Sequence, residues 1–495
     1  MTLTRFWTLI AAVVLLVSVA LARTIEPLFI APLYVEYTSS SPEEFARETK
    51  QLRERIGSSR PSVRVGFSAF LGVQFRMPEL DRPVRPDMIA PTLDDIALIV
   101  DRARSNHIPL HISVISNLFH GINSLREAAI RADVRNAQWF ADGWIAVPEE
   151  LNRSGTIPRS AWITASSYAL PLRHRIEESA RIVGERLAAA MEQSPDTLIS
   201  ISGDSEVELS YERTLEDGER PRGSGKIVYA DYSPFMVSEF RDWLRDSRYK
   251  GDLSPATDDN HDGHTLNRDF HQQFRTWDLR YFNNSGPIPY EQYRAMKEKL
   301  PSSGEFFIQD GFDAPRTAAP GDAFWETWKT FRIRVVANYL RDFGKWITND
   351  SRIPASRFYT HQIPADYVFA GRSTLRLETS ASPLETALLP AIASPGVTVF
   401  DTFNGRTYTK TSSPDMFRRL ERAGTHWGIL EYNPSVPPTQ DEKYYTSTLH
   451  RLYSFHPTII APFAWTHSKL HKQYQIQDTA FEHALKKFVE EIQRR

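Results

Sequence analysis

The sequence predicts an α/β protein, a (β/α)8 or TIM barrel with a long insertion after the fourth strand. Three observations favour this fold. Apolar, strand-like runs alternate with helix-like segments along most of the chain, which is the pattern of βα units around a parallel sheet. Eight such runs can be counted, and 495 residues suit one large barrel with insertions. A doubly wound parallel sheet is the alternative.

The predicted strands are short apolar runs bounded by polar or turn-forming residues. In order they are Leu28–Tyr37, Val63–Phe75, Ile108–Phe119, Thr197–Gly203, Arg357–Ile363, Val397–Phe403, His426–Tyr432 and Thr458–Trp465. Amphipathic segments with helical spacing follow most of them. Between the fourth and fifth strands lies the predicted insertion, residues 211–355, with helices around Phe235–Arg245 and Phe324–Thr348.

The N-terminus has the pattern of an export signal. Arg5 is followed by an apolar run, Phe6–Val19, and then by the small-x-small sequence of residues 20–22. We therefore expect a signal peptide over residues 1–22 and a mature protein, residues 23–495, exported to a periplasm or the cell exterior without membrane association. An uncleaved membrane anchor is the alternative, because the run is near the minimum length for a span.

Composition excludes several functional classes. The chain has no cysteine, so disulfides, thiolate catalysis and thiolate metal sites are absent. Its 59 Lys and Arg face 61 Asp and Glu, whereas proteins that bind nucleic acid carry a basic excess. We therefore expect no nucleic-acid partner.

Polar side chains gather at the carboxyl ends of the predicted strands, where α/β folds place their sites. These residues are Glu36, Asn117, His120, Asp204, Glu206, His361, Gln362, Asp401, Asn404, Glu431, Trp465 and His467. A purely structural barrel would not require this convergence. Six of them are predicted to bind substrate hydroxyls, namely Asp204, Asn117, His361, Gln362, Asp401 and Asn404. Trp465 is predicted to form a stacking floor for a sugar ring.

Two carboxylates on different strands are the minimum equipment for glycoside hydrolysis, one as proton donor and one as nucleophile or base. Glu431 stands alone between apolar residues on the seventh strand, and Glu206 follows the fourth. We predict Glu206 as acid/base, with Glu208 as the alternative, and Glu431 as nucleophile. A retaining enzyme would hold the two carboxyl groups about 5–5.5 Å apart, and an inverting enzyme roughly 6.5–9.5 Å.

Several segments resemble one known group of enzymes. The stretch Tyr229–Arg245 reads YADYSPFMVSEFRDWLR and is followed by FRTWD and WETWKTFRIRVVANYL. These, with QWFADGWI at Gln138–Ile145, resemble clan A retaining glycoside hydrolases of the family 42 β-galactosidase type. The resemblance implies an acid/base after the fourth strand and a nucleophile after the seventh. Where that clan usually has Asn before the acid/base, to bind the sugar 2-hydroxyl, this chain has Ser205, as in a divergent member acting on another glycan.

A second motif is independent of the strands. The segment DDNHDGHTLNRDF, residues 258–270, matches the pattern of a calcium loop, with Asp in place of the closing Glu. Its candidate ligands are Asp258, Asn260, Asp262 and Asp269. We expect either a structural calcium ion or a solvated turn, and no cofactor is required for catalysis.

The sequence therefore predicts an exported retaining glycoside hydrolase that cleaves β-glycosidic bonds of an oligosaccharide or polysaccharide. The first alternative is a glycan-binding barrel without catalytic activity, which would bind sugar even when either glutamate is replaced. The second is a metal-dependent hydrolase, although the strand-end histidines lack ligand-like spacing.

Overall fold

The structure is a computed structural model. It describes residues 26–73, 81–115, 122–139, 170–205, 207, 209, 231–245, 287–299, 323–348, 352–362, 368–369, 393–400, 402–403, 406–409, 413–422, 426–434, 440–466 and 474–494. The predicted signal peptide and the predicted calcium loop lie outside these residues. Within them, no helix is long and apolar enough to cross a membrane.

Within the described residues, twelve strands form three sheets. The strands are β1 (Leu28–Ile30), β2 (Val63–Val65), β3 (Phe67–Gly72), β4 (Leu110–Ile115), β5 (Leu198–Ser205), β6 (Phe358–His361), β7 (Val368–Phe369), β8 (Gly396–Phe400), β9 (Thr402–Phe403), β10 (Arg406–Thr409), β11 (Gly428–Asn433) and β12 (Ile459–Pro462). One parallel sheet has the order β2-β1-β12-β11-β8 and another the order β3-β4-β5-β6. The third, β7-β10-β9, is small and antiparallel.

Backbone hydrogen bonds connect the two parallel sheets at both pairs of edges. At one edge, Gly66 is the only residue between β2 and β3, and its N–H donates to Ile30 of β1 while that of Phe67 donates to the carbonyl of Pro109. A β-carbon on Gly66 would lie 2.0 Å from that carbonyl oxygen, so the strand can change partner here only at glycine. At the other edge, Thr360 and Gln362 donate to the carbonyls of Ser394 and Gly396.

Ten α-helices surround the sheets in the described part of the chain. They are α1 (Pro42–Arg55), α2 (Ala90–Ser105), α3 (Ile122–Ala132), α4 (Leu170–Gln193), α5 (Pro234–Arg245), α6 (Tyr290–Lys299), α7 (Ala323–Ile347), α8 (Ser413–Arg422), α9 (Glu442–Tyr453) and α10 (Ala480–Gln493). Their starts are encoded locally. Ser41 and Glu44 form a reciprocal capping box around Pro42 at the start of α1, and Asp441 and Thr479 cap α9 and α10.

Buried apolar side chains form two separate clusters. The larger joins the strands to the helices. The smaller consists of Phe29, Ala31, Tyr359, Leu430, Ile459 and Ala461, with Ile199 packed against it. Its members come from strands of both parallel sheets and from no helix. The two sheets therefore face each other through this second cluster, and we call the surface that carries it the inner face.

The α/β class with parallel sheets is confirmed. Each of the eight predicted runs overlaps a strand of the two parallel sheets. Between the fourth and fifth runs, α7 packs on β5, where Phe343 lies so close to Gly203 that a β-carbon there would be 2.7 Å from its ring. The small antiparallel sheet was not predicted.

Candidate functional site

Five predicted site residues lie in the described part of the chain, at the carboxyl ends of the parallel strands: Asp204, His361, Gln362, Glu431 and Trp465. Several predicted residues lie outside the described part of the chain. They are Glu206 and its alternative Glu208, Asn117, His120, Asp401, Asn404, His467 and the candidate calcium ligands Asp258, Asn260, Asp262 and Asp269. The described residues hold no group of three or more His, Asp or Glu side chains arranged to bind a metal.

Glu431 lies at the end of β11, where the pairing with β8 is irregular. The register passes from Ile429 opposite Val397 to Glu431 opposite Thr398, so β11 has one extra residue. Such a bulge changes which residues share a face. Leu430 belongs to the inner cluster. The next residue, Glu431, lies opposite Thr398 in the pairing with β8. Thr398 in turn bonds His361 on the inner face. The irregularity therefore brings Glu431 to the inner face at the end of the sheet.

The carboxylate of Glu431 has a nearby hydrogen-bond donor. Nδ2 of Asn433 donates to Oε1 of Glu431 at 2.7 Å. Burial raises the pKa of Glu431 above its ordinary value, and the Asn433 hydrogen bond opposes this by stabilising the ionised form. The side chain keeps partial exposure to solvent. Glu431 is thus a partly exposed residue whose ionised form is disfavoured by burial and favoured by the hydrogen bond from Asn433.

His361 connects β5 to β8 across the inner face. Its Nδ1 lies 3.0 Å from Oγ of Ser205, and its Nε2 lies 2.9 Å from Oγ1 of Thr398. Burial lowers the pKa of His361 to about 4, so the ring is neutral near pH 7. Because both nitrogens are engaged and the residue is 1% exposed, His361 holds neighbouring side chains rather than presenting a nitrogen to a ligand.

The bonds of His361 continue into a longer chain. Ser205 Oγ lies 3.0 Å from Ser113 Oγ, and Ser202 donates to Ser113 at 2.9 Å. His111 follows, with Nε2 3.0 Å from Ser202 Oγ and Nδ1 2.8 Å from Ser200 Oγ. We call this series the Ser–His chain; its members in order are Ser200, His111, Ser202, Ser113, Ser205, His361 and Thr398.

The Ser–His chain is buried along its length and carries no charge at neutral pH. Burial, with a smaller contribution from His361, lowers the pKa of His111 to about 3. Hydrogen bonds are available on both sides of each imidazole, so the desolvated rings remain paired. The chain passes through Ser205, which precedes residue 206, and it ends at Thr398, which lies opposite Glu431. It therefore links the two strands from which the predicted catalytic glutamates extend.

Asp204 faces helix α7 instead, and Gln362 bonds the backbone of β5 and β6. The register between Ser202 and Ser205 is irregular, and Asp204 accepts a hydrogen bond at 3.1 Å from the hydroxyl of Tyr339 in α7. Nε2 of Gln362 donates to the backbone carbonyls of His361 at 2.9 Å and Asp204 at 3.3 Å. Asp204 is 1% exposed and Gln362 is fully buried. In this structure both stabilise the ends of β5 and β6.

Trp465 is also enclosed. Its ring is 0% exposed, and its indole N–H donates to Oε2 of Glu48 in α1 at 3.2 Å. It packs near Phe67 among residues of the larger cluster. The ring therefore presents no face to a sugar in this structure.

Three partly exposed aromatic residues that were not among the predicted site residues are grouped around Phe463, which directly follows β12. We call this region, where the carboxyl ends of the parallel strands lie, the mouth. Phe463 contacts Phe70 at 6.3 Å and Tyr474 at 5.2 Å between ring centroids. Phe463 continues the alternation of Ile459 and Ala461, both inner-face residues. Counting by two along TIIAPFAW selects Phe463 as well as Trp465, but of the two it is Phe463 that stays partly exposed in the structure.

No family model matches the sequence, and no curated protein matches it. Among solved structures, that of a beta-glycosidase, BGL167, aligns with this one at a TM-score of 0.36 and 8% sequence identity, over 94% of this chain and 97% of that chain. At this TM-score the similarity carries no argument about the function of this chain.

Proposed function

We propose that the two parallel sheets form one (β/α)8 barrel and that the protein is a glycoside hydrolase with Glu431 as its nucleophile. The order of hydrogen-bonded neighbours supports the barrel. If β2 and β3 count as one strand, each of the eight strands bonds to the next in chain order, and β12 pairs with β1. The inner cluster drawn from both sheets supports the same arrangement.

The observation that carries the proposed function is the environment of Glu431. A carboxylate that attacks an anomeric carbon must be ionised, reachable by substrate and held in one orientation. Glu431 is partly exposed at the strand end, and Asn433 both orients it and favours its ionised form. In the proposed mechanism Glu206 protonates the leaving oxygen while Glu431 forms the glycosyl-enzyme, and water activated by Glu206 then releases the sugar.

The surroundings of Glu431 suit a carbohydrate. Glu431 is itself a partly exposed polar residue, held by Asn433. On the neighbouring strand end, the N–H of Phe463 donates to the carbonyl of Tyr432, and the rings of Phe463, Phe70 and Tyr474 supply apolar surface there. Sugars present hydroxyl groups at their edges and C–H groups on their faces, so they match a mouth with both kinds of surface. We therefore propose an oligosaccharide or polysaccharide as substrate.

One observation favours the second candidate, a glycan-binding barrel without catalytic activity. In the resembled enzymes an asparagine before the acid/base binds the sugar 2-hydroxyl. Here the residue is Ser205, which is 4% exposed and whose hydroxyl is engaged with Ser113 and His361. That contact must come from elsewhere in an active enzyme, and it is missing in an inactive binder.

The test is hydrolysis of aryl β- and α-glycosides by residues 23–495 and by variants of each candidate carboxylate. We expect turnover of one β-glycoside to fall more than a hundredfold in Glu431→Gln and Glu206→Gln, since removing an essential catalytic group costs on the order of 10⁴-fold or more. Glu208→Gln distinguishes the two candidates for the acid/base. Glu421→Gln, an exposed glutamate paired with His456, is the matched control and should keep full activity.

Azide separates the two roles. Glu431→Ala with azide should give a glycosyl azide of inverted configuration, because azide then attacks the substrate directly. Glu206→Ala with azide should give the retained configuration, because azide attacks the glycosyl-enzyme. Full activity in Glu431→Gln would overturn the proposal, and glycan binding that survives both substitutions without any turnover would establish the inactive binder.

A further inference from the structure

Glu36 is a partly exposed residue at the mouth that the proposed mechanism does not use. The segment that follows β1 continues to pair with the segment that follows β12. The N–H of Trp465 donates to the carbonyl of Leu33, and Tyr34 lies opposite Thr466 in a parallel bridge. Glu36 comes two residues after Tyr34, so it lies at the carboxyl end of the same sheet that carries β11.

One oxygen of the Glu36 carboxylate is held, and the other meets solvent. The hydroxyl of Thr466 donates to Oε2 at 2.5 Å. Oε1 has no hydrogen-bond partner among the described residues, and it is not enclosed by them. A carboxylate has no proton to donate, so this oxygen can only accept hydrogen bonds. Glu36 therefore presents an acceptor to any molecule that occupies this part of the mouth.

The turn that carries Glu36 is fixed by hydrogen bonds of its own. The backbone N–H and the hydroxyl of Ser40 both donate to the carbonyl of Glu36, at 2.9 and 2.8 Å. The guanidinium of Arg102, in α2, donates to the carbonyls of Tyr37 and Ser40, both at 2.5 Å. A group that is already ordered loses little conformational entropy when it binds a ligand. Ser40 and Arg102 thus keep the carboxylate in place before a ligand binds.

Glu36 and Glu431 lie at the ends of two strands that are separated by a third. β12 lies between β1 and β11 in the sheet. Neighbouring strands are about 4.8 Å apart, so the ends of β1 and β11 are on the order of 10 Å apart. Phe463, which follows β12, lies between them. A sugar whose anomeric carbon is at Glu431 would therefore extend across the end of β12 toward Glu36.

We infer that Glu36 is a substrate-binding residue, which accepts a hydrogen bond from a hydroxyl group on the far edge of the sugar bound at Glu431. Thr466 is a positioning residue in this assignment, because it acts through the carboxylate. A carboxylate accepts a hydrogen bond from a hydroxyl but repels an anion, so the sugar is a neutral one. This inference rests on the proposed function, and the experiment below lets the two fail separately.

Deoxy substrates test the hydrogen bond itself. The probes are the aryl glycoside that residues 23–495 hydrolyse and its monodeoxy and monofluoro derivatives, because neither hydrogen nor fluorine can donate to a carboxylate. We expect Glu36→Ala to raise the KM for the parent glycoside about tenfold to a hundredfold, as expected for loss of a hydrogen bond to a charged group, with kcat within about threefold. The derivatives at one hydroxyl position should show a similar rise with the unmodified protein, and with them Glu36→Ala should cost less than about twofold more.

Further variants separate contact with the sugar from support of the fold. Thr466→Val removes the donor to Oε2 and should raise KM about threefold, and Thr466→Ser, which keeps the hydroxyl, should restore it. Glu43→Ala changes an exposed glutamate in the first turn of α1; it is the matched control and should leave KM unchanged. If Glu36→Ala does not fold, Glu36→Gln takes its place, because its amide oxygen can still accept from Thr466.

The outcomes distinguish this inference from the proposed function. An unchanged KM in Glu36→Ala, on a glycoside that the unmodified protein hydrolyses, would overturn the role of Glu36 and leave the glycosidase intact. An equal loss on the parent glycoside and on every derivative would do the same, because a residue that only supports the fold does not distinguish hydroxyl groups. If no glycoside is hydrolysed, calorimetric titration with the same aryl glycosides gives Kd in place of KM. Absence of both turnover and binding would overturn both proposals.

Discussion

The inner face has two regions of opposite character. The apolar region consists of Phe29, Ala31, Tyr359, Leu430, Ile459 and Ala461, and most of it comes from β1, β11 and β12. The polar region is the Ser–His chain, on β4, β5, β6 and β8. Both are buried in the same surface, and the glutamate of β11 lies where they meet. Close packing of the inner face does not require polar side chains, because apolar residues could fill both regions.

The difference indicates what each region contributes. Apolar burial stabilises by about 25 cal/mol for each Å² removed from water. A buried hydrogen bond contributes only about 1 kcal/mol net, because the same groups bond to water in the unfolded chain. The polar region therefore contributes little to the free energy of folding, but it fixes the orientation of its side chains, since each hydrogen bond orients the neighbouring group.

The largest expected effect is a sensitivity to acid that resides in the polar region. His111 and His361 have pKa values of about 3 and about 4 in the folded protein, against about 6.5 when unfolded. Below pH 6.5 the unfolded chain binds protons that the folded chain does not, so the free energy of unfolding decreases as the pH is lowered. Between pH 7 and pH 5 the two together should lower the free energy of unfolding by about 4 kcal/mol.

The measurement is urea unfolding at both pH values for the unmodified protein and for the double variant His111→Gln, His361→Gln. The double variant should lose less stability on acidification. Glu431, whose raised pKa acts in the opposite direction, is present in both proteins and cancels. Leu430→Ala in the apolar region should cost about 3 kcal/mol at either pH. An equal pH dependence in the unmodified protein and the double variant would contradict the assignment of acid sensitivity to these histidines.

The sequence predicted the strands well because each carries its own local signal. A buried parallel strand is a short apolar run, and all eight runs overlap strands of the structure. The two-residue strands β7 and β9 carry no such signal. Their pairing with β10 is a contact between distant segments, which no local pattern encodes.

The site was harder to predict because faces depend on register. Alternation put Asp204 on one face with Glu206, but the irregular pairing between Ser202 and Ser205 directs Asp204 to Tyr339 and brings Ser205 inward. Glu431 lies in the seventh predicted strand and is partly buried, and its role stays a prediction. His111 was not selected, because only the register with Ser200 and Ser202 reveals its partners.

An intermediate effect is expected at the aromatic residues that border the apolar region. Phe463→Ala should raise the KM for a glycoside about tenfold, because a partly exposed ring that stacks on a sugar face contributes on the order of 1–1.5 kcal/mol. Trp465→Phe should leave KM unchanged, and it should lower stability by about 1 kcal/mol through loss of the bond to Glu48. Steady-state kinetics measures the KM values of both variants, and thermal unfolding measures their stability. A KM effect at Trp465 with none at Phe463 would exchange their roles.

The smallest effect concerns Asn433, at the border of the two regions. Asn433→Leu keeps the size of the side chain but removes the donor to Oε1 of Glu431, so the pKa of Glu431 should rise further. A nucleophile works only when ionised, and activity on the acidic side therefore falls first. We expect kcat/KM to drop about threefold to fivefold at pH 5, the equivalent of one hydrogen bond of about 1 kcal/mol, and to approach the unmodified value at pH 8. Asn106→Leu, whose amide bonds only a helix carbonyl before β4, controls for the loss of an amide. A uniform loss of kcat/KM at every pH would mean that Asn433 binds the substrate rather than setting the charge of Glu431. The polar groups of the mouth would then act mainly by binding the substrate directly.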